Sequence, residues 1–147
     1  MTDLSDFTKV AAGDHMFCVI ATTRSDGSVQ ASVVNAGVMP HPGRDEDVVV
    51  CVARGDSRKL VNLRSRPQTT VVASHGGGWV SVEGRAELIG PNDPYPGVDA
   101  EGLRQLLRDA FRAAGGRHDD WETYDRVMNE EGRTVVVVTP TRVYSNG

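Results

Sequence analysis

The sequence predicts a mainly β fold with helices (α+β), built as an antiparallel barrel with a helical insert. Three observations lead to this fold class. Short apolar and β-branched runs are joined by hairpin-turn residues, as at Ser25-Asp26-Gly27 and Gly76-Gly77-Gly78. Few helical patterns interrupt these runs. An open antiparallel sheet would leave unpaired edges, so we expect the strands to close into a barrel.

The predicted elements follow one another along a single domain of 147 residues. A short helix is expected at residues 3–13 and a second helix at 57–66, which stops before Pro67. Apolar spacing predicts an amphipathic helix at 103–114, and another helix begins near residue 119. Strands are predicted at residues 17–23, 29–39, 47–53, 69–74, 79–89 and 134–143. The first strand is apolar on both faces, which predicts burial on both sides.

Composition excludes several classes of protein. The net charge of −4 and the absence of a dominant basic patch argue against a nucleic-acid-binding or membrane-surface protein. There is no apolar run of about 18 residues and no signal-peptide pattern, so we expect a cytoplasmic protein. Cys18 and Cys51 lie in apolar strands and are expected to be buried, reduced thiols, with a disulfide as the alternative.

Several familiar catalytic motifs are absent. The stretch from His75 to Gly78 matches an esterase oxyanion-hole motif, but the chain lacks the G-x-S-x-G nucleophile that such enzymes need. A glycine-rich hairpin turn is the better interpretation. The four histidines are scattered, no C-x-x-C or H-E-x-x-H occurs, and no nucleotide-binding glycine loop is present. We therefore expect no metal site, and any reaction chemistry should belong to a bound cofactor.

The start of the helix at 57–66 is the most informative local feature. Arg58 and Lys59 place two positive charges in the first turn, where the helix dipole disfavours cations unless an anion is present. Asn62 lies one turn beyond Lys59 on the same face and is a candidate hydrogen-bond donor. These residues predict a phosphate-binding helix start. The alternative is that both cations simply point into solvent.

Two residues break the pattern of their strands. Asn35 falls in an apolar row with Val33, and it needs a partner if that row is buried. A ligand or a backbone group would serve equally well. Trp79 shares its side of a strand with polar residues, which indicates a dimer interface or a stacking surface for a flat ring, unless Trp79 fills the core.

A third feature is the polar side of the helix at 103–114. Arg104, Arg108 and Arg112 recur there at a spacing of four residues. We expect a solvated face, and a site for an acidic partner is the alternative.

Motifs spread over nearly the whole chain carry a family resemblance. They are Ala21-Thr22-Thr23 with Asp26-Gly27, Gln30-Ala31-Ser32, the segment Lys59 to Pro67, Gly78-Trp79 with Glu83-Gly84, the segment His118 to Tyr124, and Val143-Tyr144. The chain resembles the actinobacterial branch of the pyridoxamine-5'-phosphate-oxidase-like split-barrel superfamily. Within that branch it is most similar to F420-dependent flavin/deazaflavin oxidoreductases.

The resemblance implies a split β-barrel of the FMN-binding type and a homodimer with cofactor grooves between the subunits. It implies that Lys59 and Asn62 bind the phosphate-bearing side of the cofactor. Asn35, Val52, Gly78 and Trp79 would line its ring or ribityl region. Relatives carry an arginine two residues before the matched lysine, where this chain has Ser57, so Arg58 either takes over that role or points elsewhere.

The function that the resemblance implies is an F420H2-dependent reductase, which transfers a hydride to an unsaturated small-molecule acceptor. An FMN-dependent oxidase or reductase of the same fold and a non-catalytic F420-binding protein are the alternatives. No side chain stands out as the proton donor, and no residue indicates which acceptor is reduced.

Overall fold

A computed structural model describes residues 1–147 as seven strands and four helices. In chain order they are α1 (Leu4–Ala12), β1 (Phe17–Thr23), β2 (Val29–Asn35), β3 (Gly37–Pro40), β4 (Asp47–Ala53), α2 (Arg58–Ser65), β5 (Gln68–His75), β6 (Gly78–Ile89), α3 (Ala100–Ala113), α4 (Trp121–Glu130) and β7 (Thr134–Ser145). The predicted order of elements is confirmed. The structure adds one strand, because the run at residues 29–39 forms two strands.

The seven strands form one antiparallel sheet in the order β2-β1-β5-β6-β7-β4-β3. Its two end strands, β2 and β3, are consecutive in the chain and are separated only by Ala36. The sheet must therefore curl until its two ends meet, which makes a barrel. β2 and β3 do not pair with each other, and the Ala36 N–H donates instead to the Met16 carbonyl at 3.0 Å. The expectation of a closed barrel is wrong, and the split barrel is confirmed.

Two apolar layers hold the fold together. The larger core fills the barrel and includes Phe7 of α1, Cys51 of β4 and Val82 of β6. The smaller core lies between the outward face of β4 and β7 and the helices α3 and α4. This second layer explains why residues 135–138 are apolar on both faces, since all four are buried.

The outward face of β1 differs from its prediction. Its inward residues Cys18 and Ile20 are buried, but Phe17 and Val19 on the other side are exposed. No helix covers this part of the sheet within the chain, so burial on both sides was the wrong expectation.

The arginine side of α3 also differs from its prediction. Arg104 Nη1 and Arg108 Nε donate to the Asp125 carboxylate at 3.1 and 3.0 Å, which ties α3 to α4. Arg112 is exposed, as a solvated face predicts, but Arg104 and Arg108 depart from that prediction. The acidic partner of these arginines lies within the same chain. α4 is capped by Asp120, whose side chain accepts the Thr123 N–H.

Other sequence expectations agree with the structure. Cys18 and Cys51 are buried free thiols. Gly76 and Gly77 form the turn between β5 and β6 with positive φ angles of 58° and 86°, as a glycine-rich hairpin requires. None of the helices is long and apolar enough to cross a membrane.

Candidate functional site

The N-terminus of α2 carries positive charge that no protein group neutralises. Its first turn contains Arg58 and Lys59 and no acidic residue. Neither cation takes part in an ion pair. Ser57 precedes the helix in an extended conformation at the N-cap position, where a serine side chain normally accepts a backbone N–H. Here it makes no such bond, and its Oγ is buried without a hydrogen-bond partner.

These features are what an anion site requires. The first N–H groups of a helix lack intrahelical partners and carry the positive end of the dipole. A buried hydroxyl without a partner costs free energy unless a ligand or water satisfies it. The residues at this helix start therefore fit a phosphate group, and the phosphate site stays a prediction. Ser57 adds a donor that the spacing of Arg58 and Lys59 alone did not indicate.

Lys59 lies closer to the barrel interior than Arg58. Lys59 is half-buried, whereas Arg58 is exposed. Burial raises the pKa of the Cys51 thiol to about 12, and the positive charge of Lys59 opposes that rise. The ammonium of Lys59 is thus within electrostatic reach of β4. This placement makes Lys59 the better candidate of the two for a ligand held against the barrel.

Asn62 occupies a different place from the one the sequence predicts. Its side chain is only 2% exposed, and its Nδ2 donates to Thr22 Oγ1 at 3.0 Å. Thr22 in turn donates to Gln30 Oε1 at 3.1 Å. The Asn62 amide therefore links α2 to the barrel wall and is not directed to an open groove of this chain.

Asn35 and Val52 are brought together beside the helices. Asn35 ends β2 on its outward side, and its Nδ2 donates to the His15 carbonyl at 3.1 Å, which leaves Oδ1 free. The row to which Asn35 belongs is not buried, since Val29 and Val33 are 63% and 64% exposed. Of the two partners that the sequence left open for Asn35, a ligand and a backbone group, the structure shows the backbone group. Asn35 and Val52 line one cavity of about 240 Å³ against α3 and α4.

Gly78 and Trp79 lie elsewhere on the sheet. Trp79 packs edge-to-face against Tyr144, with ring centroids 6.0 Å apart, and its backbone N–H donates to Asn146 Oδ1. Asn35 and Trp79 are separated by β1 and β5, so they stand three strand spacings apart, or roughly 14 Å along the sheet. One chain therefore does not bring these two parts of the predicted cofactor groove together.

The outward face of β1 and β2, which we call the outer β1–β2 face, is apolar and exposed. Val19 pairs with Val33, Phe17 with Asn35 and Thr23 with Val29 across the two strands. An exposed apolar patch on a folded chain typically marks an interaction surface. Trp79 belongs to the same side of the sheet, two strands away from β1 on β6.

The sequence did not identify three polar residues as candidates: Ser32, Ser57 and Arg133. The Ser32 hydroxyl is buried on β2 without a partner, as is that of Ser57. Arg133, in the turn between α4 and β7, lines the cavity that also contains Asn35. A lone serine in a strand and a lone arginine in a turn carry no periodic signal. Only the N-cap position of Ser57 could have been found from spacing.

The strand arrangement and the cationic helix start together define a class: split barrels with a site suited to an anionic ligand. The family profile for pyridoxamine 5'-phosphate oxidase matches residues 7–147. The chain therefore belongs to the pyridoxamine 5'-phosphate oxidase family.

Solved structures of the same fold have diverged far in sequence. A conserved hypothetical protein from Mycobacterium tuberculosis is 20% identical with a TM-score of 0.65, over 99% of this chain and 84% of the other. An F420 reductase is 16% identical with a TM-score of 0.59, over 88% of this chain and 89% of the other. A pyridoxamine 5'-phosphate oxidase-related, FMN-binding protein from Nostoc punctiforme is 10% identical with a TM-score of 0.64, over 93% and 80% of the two chains. At these identities the similarity establishes the fold alone.

Proposed function

We propose that this chain is an F420H2-dependent reductase that transfers a hydride to an unsaturated small-molecule acceptor. One observation carries the proposal. The Ser57 hydroxyl is buried without a partner at the start of a helix whose first turn holds two unpaired cations and no acid. Such a helix start suits the phosphate of an anionic cofactor. The F420 reductase among the structures of the same fold supports F420 as that cofactor.

Two groups of residues would bind the cofactor, and Asn62 would support them. Ser57, Arg58 and Lys59 would hold the phosphate-bearing side through charge-assisted hydrogen bonds. Asn35 and Val52 would lie beside the ring, where the free Oδ1 of Asn35 accepts a hydrogen bond. The buried Asn62 amide would hold the helix in place.

A homodimer would complete the groove. The outer β1–β2 face is apolar and uncovered in one chain, and its burial against a second copy would remove that area from water. Trp79 lies on the same side of the sheet, so the association would place it beside the partner subunit. The groove would then combine Asn35 and Val52 of one subunit with surfaces of the other. The free thiols Cys18 and Cys51 favour a cytoplasmic location for this dimer.

When bound, the reduced cofactor supplies the hydride. The chain's own residues position the two reactants and exclude water from the cavity beside Val52. Tyr124 is the one lining side chain with a hydroxyl, but its OH donates to the Leu107 carbonyl at 2.9 Å. Burial raises the pKa of Tyr124 to about 12, which keeps its proton in place at neutral pH. We therefore expect solvent to supply the proton that accompanies the hydride.

An FMN-dependent oxidase or reductase is the second candidate, because a phosphate on FMN would satisfy the same helix start. The FMN-binding protein from Nostoc punctiforme shares the fold and favours this alternative. A non-catalytic F420-binding protein would use the same residues without turnover.

Titration of the purified apoprotein with F420 and with FMN separates these functions. A reductase should bind F420 and oxidise F420H2 when an acceptor is added. A carrier should bind F420 and leave F420H2 unchanged across a panel of quinones and conjugated carbonyl compounds. Tight FMN binding with no measurable F420 binding would overturn the leading proposal.

A further inference from the structure

The cavity lined by Asn35 and Val52 combines apolar and aromatic side chains with one arginine, and this lining suits a small planar anion. It lies between β4, the C-terminal part of α3, and α4, and its volume is about 240 Å³. Its apolar lining residues come from β4 and both helices: Val52, Ala110, Phe111, Ala114, Tyr124 and Met128. Its two other lining residues are Asn35 and Arg133.

Size and shape indicate a single ring with a short arm. An engineered cavity of roughly 150 Å³ holds benzene, so a space of this size accommodates about ten non-hydrogen atoms. Phe111 and Tyr124 lie with ring centroids 5.0 Å apart and form an aromatic wall. The Tyr124 hydroxyl is turned away to the Leu107 carbonyl, so its ring presents carbon atoms. A planar conjugated molecule packs well against such a surface.

Arg133 gives the cavity its only charged lining group. Its Nε donates to Glu131 Oε1 at 2.8 Å, which fixes the guanidinium plane and leaves both terminal nitrogens without a protein partner. Glu131, the ion-pair partner of Arg133, does not line the cavity, and neither does any other carboxylate. The positive charge of Arg133 also lowers the pKa of Tyr124 against the rise that burial causes, so it acts across the cavity. Two parallel N–H groups of a fixed arginine match a carboxylate.

The same turn touches the segment that leads into α2. The Gly55 N–H donates to the Glu131 carbonyl at 3.1 Å. A Cβ on Gly55 would lie 2.7 Å from the Gly132 carbonyl oxygen, so the two turns pack closely. Gly55 is two residues before Ser57. The cavity and the proposed phosphate site therefore share one supporting contact.

We propose that this cavity binds the hydride acceptor, with the cofactor ring outside the cavity against Asn35 and Val52, and that the acceptor is a small planar conjugated carboxylate held by Arg133. Its ring packs against Phe111 and Tyr124, and its carboxylate receives the two terminal N–H groups of Arg133. Reduction of its carbon–carbon double bond adds a hydride from the reduced cofactor to one carbon and a proton from water to the other. The acceptor gains two electrons and the cofactor loses two. The assignment as acceptor rests on the proposed function, whereas binding of the carboxylate does not.

Calorimetric titration of the cofactor-free protein with cinnamate, and with the neutral analogue cinnamamide, tests the binding site. We expect cinnamate to bind at least tenfold more tightly than cinnamamide. Arg133→Gln should remove that preference, whereas Arg126→Gln, on the exposed side of α4, should preserve it. Ala114→Leu fills the cavity and should reduce binding of both compounds while leaving Arg133 in place.

The outcomes separate this inference from the proposed function. No cinnamate binding, equal affinity for both compounds, or an undiminished preference in a folded Arg133→Gln protein would overturn the inference. Cinnamate binding that depends on Arg133 supports it, even if the protein then fails to bind F420. F420 binding without cinnamate binding would leave the proposed function standing and remove the acceptor site. Thermal melting of each variant checks that it is folded.

Discussion

The buried Asn62 amide joins α2 to the barrel through the Thr22 hydroxyl, at a distance of 3.0 Å. The Thr22 hydroxyl in turn donates a hydrogen bond to Gln30 Oε1 of β2. The Arg66 guanidinium, just beyond the end of α2, adds a bond from Nε to the Thr23 carbonyl at 2.8 Å. The helix that carries the proposed phosphate site is therefore fixed to β1 at two points. Asn62, which the sequence predicts to face the ligand, instead fixes the orientation of the helix that carries the site.

Replacing Asn62 with alanine should destabilise the protein. The change removes a buried donor and leaves the Thr22 hydroxyl with one partner fewer, so we expect the free energy of unfolding to fall by about 1–3 kcal/mol. Chemical denaturation measures it. Asn129→Ala on the exposed side of α4 is the control and should change stability by under about 0.5 kcal/mol. If stability is unchanged but cofactor affinity falls strongly, Asn62 binds the ligand directly, and the structural role is wrong.

Replacing Lys59 with alanine tests the helix start. Because Lys59 has no acidic partner, its loss should leave the melting temperature almost unchanged. Loss of a charge-assisted hydrogen bond should weaken cofactor binding by about 1–3 kcal/mol. Lys9, the chain's other lysine, is exposed on α1 and provides a matched control as Lys9→Ala. Equal cofactor affinity in the two variants would mean that Lys59 is merely a surface charge.

Most of the fold could be predicted because its signals are local. The hairpin at Gly76 and Gly77 needs positive φ angles, and the sequence supplies glycine at both positions. The split could not be predicted from local pattern. The Ala36 N–H donates to the Met16 carbonyl in register with the β1–β2 pairing, and β3 then pairs with β4 alone, so the split depends on which distant strands pair.

The candidate site was harder to predict, because side-chain direction is decided by packing. The helical spacing of Lys59 and Asn62 is the same whether both reach a ligand or one enters the core. The structure separates them by burying Asn62 against Thr22. The α3 arginines show the same limit, since their partner Asp125 lies 17 residues beyond Arg108 on another helix.

Removing Asp125 should loosen the contact between α3 and α4. Its hydrogen bonds from Arg108 and Arg104 lower the pKa of its carboxyl, and partial burial opposes them. We expect Asp125→Asn to reduce the free energy of unfolding by about 1–2 kcal/mol at neutral pH, between the values for exposed and for buried charged pairs. Denaturant titration at several pH values measures the effect.

The pH dependence of that difference has a definite sign. Because the pKa of Asp125 is lowered in the folded state, its contribution is complete above the ordinary carboxyl pKa of 3.8 and is lost as the pH falls through the lowered value. Wild type and Asp125→Asn should therefore converge in stability at acidic pH. A difference that persists unchanged well below the ordinary pKa would mean that packing, not charge, links the helices.

Placing a charge on the outer β1–β2 face should separate the proposed homodimer. Val33 is 64% exposed in one chain and pairs with Val19, whose side chain is also exposed. Burial of an unpaired carboxylate in an interface is unfavourable, so Val33→Glu should convert the protein to a monomer in sedimentation experiments. Val61→Glu, at a position 45% exposed on α2, is the matched control and should remain dimeric.

A Val33→Glu protein that stays dimeric, or a wild-type protein that is monomeric at micromolar concentration, would contradict the proposed interface. Loss of cofactor binding in the Val33→Glu monomer would further show that the groove needs both subunits.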